Sequence, residues 1–526
     1  MRDLNLENID REKKRPAGDP DNHGSPDLSE RKSEGPAGQR SAERESAERT
    51  VQRSAGQTGQ ETAGGVNRNR MSRAERESAR QEKRRATARR RASSSQIIIV
   101  GFLLVILSGT LLLLLPFASK APGSVSLIEA LFTAASATCV TGLVVLDTAT
   151  TWTIFGQVVI LLLIQIGGMG VVTMGVAISV IMRRRIGLSE RSTMQASISA
   201  PQVGGIVKFT KFILFTTAAI ELAGALLLAP VFIRDFGLLR GLWYALFHSV
   251  SAFCNAGFDL MGVNEPFSSM TSYAANPYVN VVLMALIVIG GLGFLTWHDL
   301  KENGLHWARY RMQTKVVFSV TAVLLVVPTL YFFLCEYQSL PAGQRLLASA
   351  FTSVTARTAG FNTVDFGALS ETGQMAMIIL MVIGGSSGST AGGMKTTTVA
   401  VLIFSAFSLF RQQQSTHMFK RRIPEETVRS AATLLLLYVS ASVLGAMAIS
   451  YMEGVPMMTA LFETASAVAT VGLSLGLTPT LGPGSRLIII ALMYIGRVGG
   501  LTIIFATVQQ RKGNEERFPV EKITVG

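Results

Sequence analysis

ALFTAASATCVTGL (130–143), ALFHSVSAFCNAGF (245–258), SAFTSVTARTAGF (349–361) and ALFETASAVATVGL (460–473) are four versions of one phrase. Each is apolar, rich in Ala, Ser and Thr, and closes on one glycine: Gly142, Gly257, Gly360 and Gly472, spaced 115, 103 and 112 residues apart. A helix of about 13 residues is too short to cross a bilayer, but it can enter one and return. One copy alone would read as a small-residue packing motif, common between membrane helices. Four copies at regular spacing, each flanked by longer apolar stretches, argue against that. The third copy has one residue fewer between Phe351 and its glycine, so it is expected to depart from the symmetry of the others.

About 20 apolar residues span the hydrocarbon core as a helix. Eight such spans are predicted, at 96–118, 154–182, 207–233, 277–300, 314–337, 374–410, 427–451 and 484–509. The phrases fall between the first and second, third and fourth, fifth and sixth, seventh and eighth. The expected fold is therefore an all-α integral membrane protein of four membrane-helix/pore-helix/membrane-helix repeats, in pseudo-fourfold array around one pore. The boundaries are a tail at 1–95, then repeats at 96–206, 207–313, 314–426 and 427–526, the last including a C-terminal cytoplasmic segment. Ser126 and Glu129 have capping-box spacing before the first phrase. Pro341 and Pro456 stand where a proline begins a helix before the third and fourth.

Composition agrees: 48% of the 526 residues are hydrophobic and only 16% charged. The tail holds 22 Lys/Arg against 16 Asp/Glu and almost no large apolar residues, so it is expected to stay disordered. Its last basic run, Lys83, Arg84, Arg85, Arg89, Arg90 and Arg91, suits the anionic lipid of an inner leaflet and calls for no nucleic acid. Basic residues also gather on alternate joints: Arg183, Arg184, Arg185 and Arg191; Lys301, Arg309 and Arg311; Lys420, Arg421 and Arg422; Arg511, Lys512 and Arg517. The opposite joints carry few, so the positive-inside rule puts both termini in the cytoplasm of a multi-pass plasma-membrane protein. The three cysteines, Cys139, Cys254 and Cys335, lack metal-ligand spacing and imply no disulfide framework. The five histidines make no metal-binding pair at helical spacing, and no nucleophile motif appears, which weighs against an enzyme.

A cation that leaves water needs oxygen in place of its hydration shell, and inward-facing backbone carbonyls supply it. Glycine permits the dihedrals this requires. The expected filter strands are Val140, Thr141 and Gly142; Asn255, Ala256 and Gly257; Thr358, Ala359 and Gly360; Thr470, Val471 and Gly472. The half-helices are expected to aim their partially negative C-terminal ends at the pore axis. Arg357, three residues before Gly360, is expected to point away from the axis and bond carbonyls or an acid behind the loop. His248 and Glu463 occupy one equivalent position and are expected to serve as buried hydrogen-bonding groups.

The sixth span is interrupted by Gly384-Gly-Ser-Ser-Gly-Ser-Thr-Ala-Gly-Gly-Met-Lys395. Irregular backbone at membrane depth is tolerated only against protein or water, so 384–395 is expected to line the cavity under the filter. Arg497, in the eighth span, either faces the pore and opposes cations or bonds loop carbonyls. A charge tethering a movable loop would do both and make a gate. A secondary cation or solute symporter with broken helices is the alternative, although two repeats, often inverted, are usual there.

Together, the four glycine loops, the broken sixth span and Arg497 resemble the Trk/Ktr/HKT superfamily of potassium transporters, over about 96–526. Trp297-His-Asp-Leu300, Arg357-Thr-Ala-Gly-Phe-Asn362 and eight spans rather than ten are closest to its KtrB-type membrane subunit. The resemblance implies channel-like potassium uptake down the membrane potential, often stimulated by sodium, with K+ at the filter and no covalent cofactor. It implies a homodimer seated on a cytosolic ring of RCK-type nucleotide-binding regulatory subunits. It also implies a gate formed by Gly385, Ser386, Ser387, Gly388, Ser389, Thr390, Gly392, Gly393 and Lys395 together with a pore-facing Arg497. Four filter glycines go with potassium selectivity in this family, and loss of the first would favour sodium. The long charged tail departs from the family pattern.

Overall fold

The computed structural model describes residues 94–175, 193, 195, 205–500 and 502, all within the unit Arg85–Gly526. Residues 1–93 of the tail and the basic joints at Arg183–Arg191 and Arg511–Arg517 lie outside the described residues.

In chain order, α1 (Ser94–Leu113) leads to the half-helix α2 (Leu127–Cys139), one turn α3 (Thr148–Thr151) and α4 (Ile154–Met169). Next come α5 (Ile206–Phe236), the half-helix α6 (Leu238–Cys254), α7 (Pro277–Leu292) and α8 (Phe294–Asn303). They are followed by α9 (Met312–Cys335), the half-helix α10 (Ala342–Thr355), α11 (Glu371–Val382) and α12 (Thr396–Phe410). A short hairpin, β1 (His417–Met418) with β2 (Arg421–Arg422), precedes α13 (Glu425–Glu453), the half-helix α14 (Met457–Ala469) and α15 (Pro483–Val498).

Among the described residues, α1, α5, α9 and α13 are long and apolar enough to cross a membrane. The pair α7 and α8 would make a fifth span if taken together, but it is bent by 92°. The spans expected to be continuous at 154–182, 277–300 and 484–509 are interrupted instead, at Gly170, Gly293 and Gly499, with φ of 85°, 92° and 90°. Each lies three residues after a glycine set against a half-helix. A Cβ on Gly167, Gly290 or Gly496 would fall within 3.0 Å of the carbonyl oxygen of Thr138, Phe253 or Val468. The helix backbone thus presses on the end of the half-helix and then turns away, where a side chain at positive φ would add strain.

The starts of the half-helices follow local chemistry. Ser126 caps α2, and Glu129 returns to the Ser126 backbone N–H at 2.9 Å, completing the capping box. Pro341 and Pro456 are the N-cap residues of α10 and α14, one position earlier than expected. Gly237 alone joins α5 to α6 and gives no side-chain cap.

The core is built from the phrases. Phe132, Phe247, Phe351 and Phe462 are fully buried, with the Ala, Ser and Thr residues that follow them. Large apolar side chains face outward instead: Leu104, Leu111, Phe215, Leu226, Val326 and Leu436 are all more than half exposed. A small-residue interior under an apolar exterior is the arrangement expected where lipid is the solvent. Loops between the phrases and the helices that follow them lock neighbours together. Asp147 accepts from the Phe267 N–H at 3.0 Å, Met270 donates to the Asn362 carbonyl at 2.9 Å, and Arg486 pairs with Glu129 at 3.3 Å.

Candidate functional site

The residue two before each glycine has positive φ: 57° at Val140, 59° at Asn255, 66° at Thr358 and 53° at Thr470. Three of the four are β-branched, for which this region is a genuine strain. The glycines are positive again, at 90°, 69°, 83° and 92°, while Thr141, Ala256, Ala359 and Val471 between them are not. Alternating the hand of successive residues turns their carbonyls to one side of the strand, where an ordinary β-strand would alternate them.

The four strands touch in a closed order. A Cβ on Gly142 would lie within 3.0 Å of the Ala256 carbonyl oxygen, on Gly257 of the Ala359 oxygen, on Gly360 of the Val471 oxygen, and on Gly472 of the Thr141 oxygen. All four glycines line one cavity of about 190 Å³, which Asp147, Asp259 and Asp365 also line. These three carboxylates were missed in the sequence. Their signal was spacing: Asp147 and Asp365 each stand five residues after a phrase glycine, and Asp259 stands two after. Burial raises the Asp259 carboxyl to about 7, and the nearby Asp147 charge pushes the same way.

A hydroxyl in the last turn of each half-helix holds the strand. Ser136 and Ser466 accept from the N–H of Gly142 and Gly472, both at 3.1 Å. Ser251 donates to the Phe258 carbonyl at 2.7 Å, and Thr355 to that of Phe361. These hydroxyls precede their glycines by six residues, and by five in the short third copy. That deficit shows in the backbone. After α2, α6 and α14 the next residue is left-handed, whereas Ala356 after α10 is still right-handed and the reversal waits until Thr358. The side-chain oxygens of Thr138, Thr141, Thr358 and Thr470 are buried with no hydrogen-bond partner among the described residues.

Arg357 reaches the Thr321 hydroxyl of α9 at 3.3 Å, a hydroxyl rather than the carbonyl or acid expected. His248 accepts from the Leu260 N–H at 3.2 Å and donates to the Tyr244 carbonyl at 2.7 Å. Glu463 accepts from Ser474, from Leu475 N–H at 3.2 Å and from Thr478 at 2.7 Å. Both brace the chain just beyond a strand, as buried hydrogen-bonding groups.

The segment 384–395 packs against the other end of the strands. A Cβ on Gly392 would meet the Thr470 hydroxyl, and the Thr390 hydroxyl donates to the Phe253 carbonyl at 3.0 Å, at the end of α6. Its backbone is tied to the α7–α8 corner through Ser386 N–H to Gly291 at 2.9 Å and Phe294 N–H to Gly388 at 2.8 Å. Ser389 closes back on the Ser386 carbonyl at 2.6 Å. Lys395 donates to the Ala391 and Gly392 carbonyls of its own segment, at 2.7 and 3.2 Å. Arg497 bridges elements. It donates to the Thr390 carbonyl at 2.6 Å, to Gly168 at 3.1 Å and to Gly167. Arg497, Lys395, Gly393 and the run Ser387, Gly388 and Ser389 border a cavity of about 280 Å³. Among the described residues, no group of three His, Cys, Asp or Glu could hold a metal ion.

The strands, the interposed segment and the bridging arginine define a membrane transport protein for cations, and comparison with known proteins agrees. Residues 71–516 match the model of the TrkH family, described as cation transport protein. The potassium/sodium uptake protein NtpJ of Enterococcus hirae is 39% identical over 426 residues, covering 78% of this chain and 92% of that one. The Ktr system potassium uptake protein B of Bacillus subtilis is 39% identical over 419 residues, with the same coverage. The crystal structure of the potassium transporter TrkH from Vibrio parahaemolyticus superposes with a TM-score of 0.61 at 20% identity, over 78% of this chain and 84% of that one. The chain belongs to the Trk/Ktr superfamily, among its KtrB-type members.

Proposed function

We propose that this chain is the membrane subunit of a potassium uptake system and passes K+ into the cytoplasm through the four glycine strands. The observation that carries this reading is the closed order in which Gly142, Gly257, Gly360 and Gly472 meet the carbonyls of their neighbours. Twelve carbonyl-bearing positions, three to a strand and of alternating hand, with unpartnered threonine hydroxyls beside them, offer oxygen to a dehydrated cation. Asp147, Asp259 and Asp365 form the vestibule that concentrates cations at its mouth. In this reading the broken helices complete eight spans in pseudo-fourfold array, with both termini on the basic, cytoplasmic side.

Segment 384–395 is the gate and Arg497 its tether. The arginine's bonds to Thr390, Gly167 and Gly168 join the segment to α4 and set a positive charge beside the conduction path. The relatives named for potassium uptake, one for potassium and sodium, support K+ as cargo and Na+ as an activator. The relative's place in a Ktr system supports a regulatory partner, here an RCK-type ring beneath a homodimer. Cells lacking their own potassium systems provide the test: expression of this chain is expected to restore growth at low potassium and rubidium uptake. Confirmed expression without either would overturn the proposal. Uptake that required an organic solute would instead identify a symporter.

A further inference from the structure

Ser387 borders two separate cavities. One is the cavity beneath the strands, bordered also by Arg497. The other, of about 260 Å³, lies to the side among α9, α12, the start of α13 and the hairpin. Its walls include Val316, Val401 and Met418, with the polar groups of Gln313, Thr397 and Thr427 among them. No residue of α7 or α8 lines it, although the segment makes its backbone bonds to that corner. The segment is thus bonded on one side and faces open space on another.

We infer that the lateral cavity is the receiving site for Ser386–Ser389, the place the gate segment enters when the pore opens. The inference rests on the gate reading above. A polar backbone leaving its partners inside a membrane needs both space and new hydrogen-bonding groups. The cavity supplies the space, and Gln313, Thr397 and Thr427 supply the groups. Withdrawal releases Ser386 from Gly291 and Gly388 from Phe294. Gly384, Gly385, Gly392 and Gly393 flank the moving residues and provide the hinges. The receiving site also gives the regulator a lever. Its walls belong to α12 and α13, which the basic hairpin joins, so a shift of that hairpin changes the room available to the gate.

The test fills the cavity in the folded protein. In a Cys335→Ser background, which leaves only the buried Cys139 and Cys254, Val401→Cys is treated with butyl methanethiosulfonate. Rubidium uptake is expected to fall about tenfold, as when a gate equilibrium is pushed to its closed state, and to recover when a reductant removes the adduct. Val401→Trp fills the same space genetically and is expected to lose uptake likewise. Deleting 387–389 in either background is expected to abolish the inhibition, because nothing remains to be received; a misfolded protein would not be rescued. Unchanged uptake in Val401→Trp, or equal inhibition with the segment deleted, would overturn the inference. A deletion that by itself fails to raise uptake would instead overturn the gate reading.

Discussion

At the scale of single residues, the site depends on backbone conformations that side chains resist. Val140, Thr358 and Thr470 hold positive φ although they are β-branched, and only their surroundings can impose it. Ser136 and Ser466 are part of those surroundings, since each bonds the N–H of a strand glycine. Ser466→Ala should remove roughly 1 kcal/mol from the strand's hold and lower K+ over Na+ discrimination about fivefold, measured by competition for rubidium uptake. Unaltered competition would mean that the hydroxyl only fills space. Asp259 gives a prediction in pH. Its carboxyl, raised to about 7, is neutral below that value in the folded protein and charged above it. Its charge should therefore attract cations as pH rises, and the apparent affinity for rubidium should strengthen between about pH 6 and pH 8. Asp259→Asn should flatten that profile at the weaker affinity; a profile that kept its slope would assign the titration elsewhere.

At the scale of elements, the half-helices were the most legible part of the sequence, because one phrase repeated four times carries its own control. The capping box at Ser126 and Glu129 and the shortened third copy are both visible in the structure. The interrupted helices were less legible. Their apolar character runs past Gly170, Gly293 and Gly499, so hydropathy alone reads them as continuous, and only the glycine spacing at 167 and 170, 290 and 293, 496 and 499 marks the turns. The vestibule acids escaped notice because three carboxylates far apart in sequence meet only when the strands close. The break at 384–395 was legible from composition, but its partners were not: nothing in the local sequence connects Thr390 with Phe253 or with Arg497. Arg497→Ala frees the Thr390 carbonyl and removes a charge near the path, and it should raise rubidium flux severalfold. Deleting 386–391 should do the same without Arg497 being touched. Flux that fell in both, with protein at normal levels, would make segment and arginine structural supports rather than a barrier.

At the scale of the whole molecule, four unequal quadrants must be held in one ring. Cys139, Cys254, Arg357 and Ala469 stand three residues before their glycines, so the ring is chemically asymmetric behind a regular front. The ion pair of Arg486 with Glu129 joins the last helix to the first half-helix and so closes the circle. It is partly buried, and Arg486→Ala should cost about 1 kcal/mol, read as a small fall in the Tm of the solubilised protein with selectivity retained. A loss of selectivity without a fall in Tm would show that the pair shapes the strands themselves. The central claim is that the four strands form one filter. Its most direct measurement is potassium-over-sodium discrimination in Gly142→Ser, Gly257→Ser, Gly360→Ser and Gly472→Ser, each compared with the parent chain. All four are predicted to lose discrimination, because each glycine faces the carbonyl of the next strand. Full discrimination in any variant that still conducts would remove that strand from the ring and contradict the account.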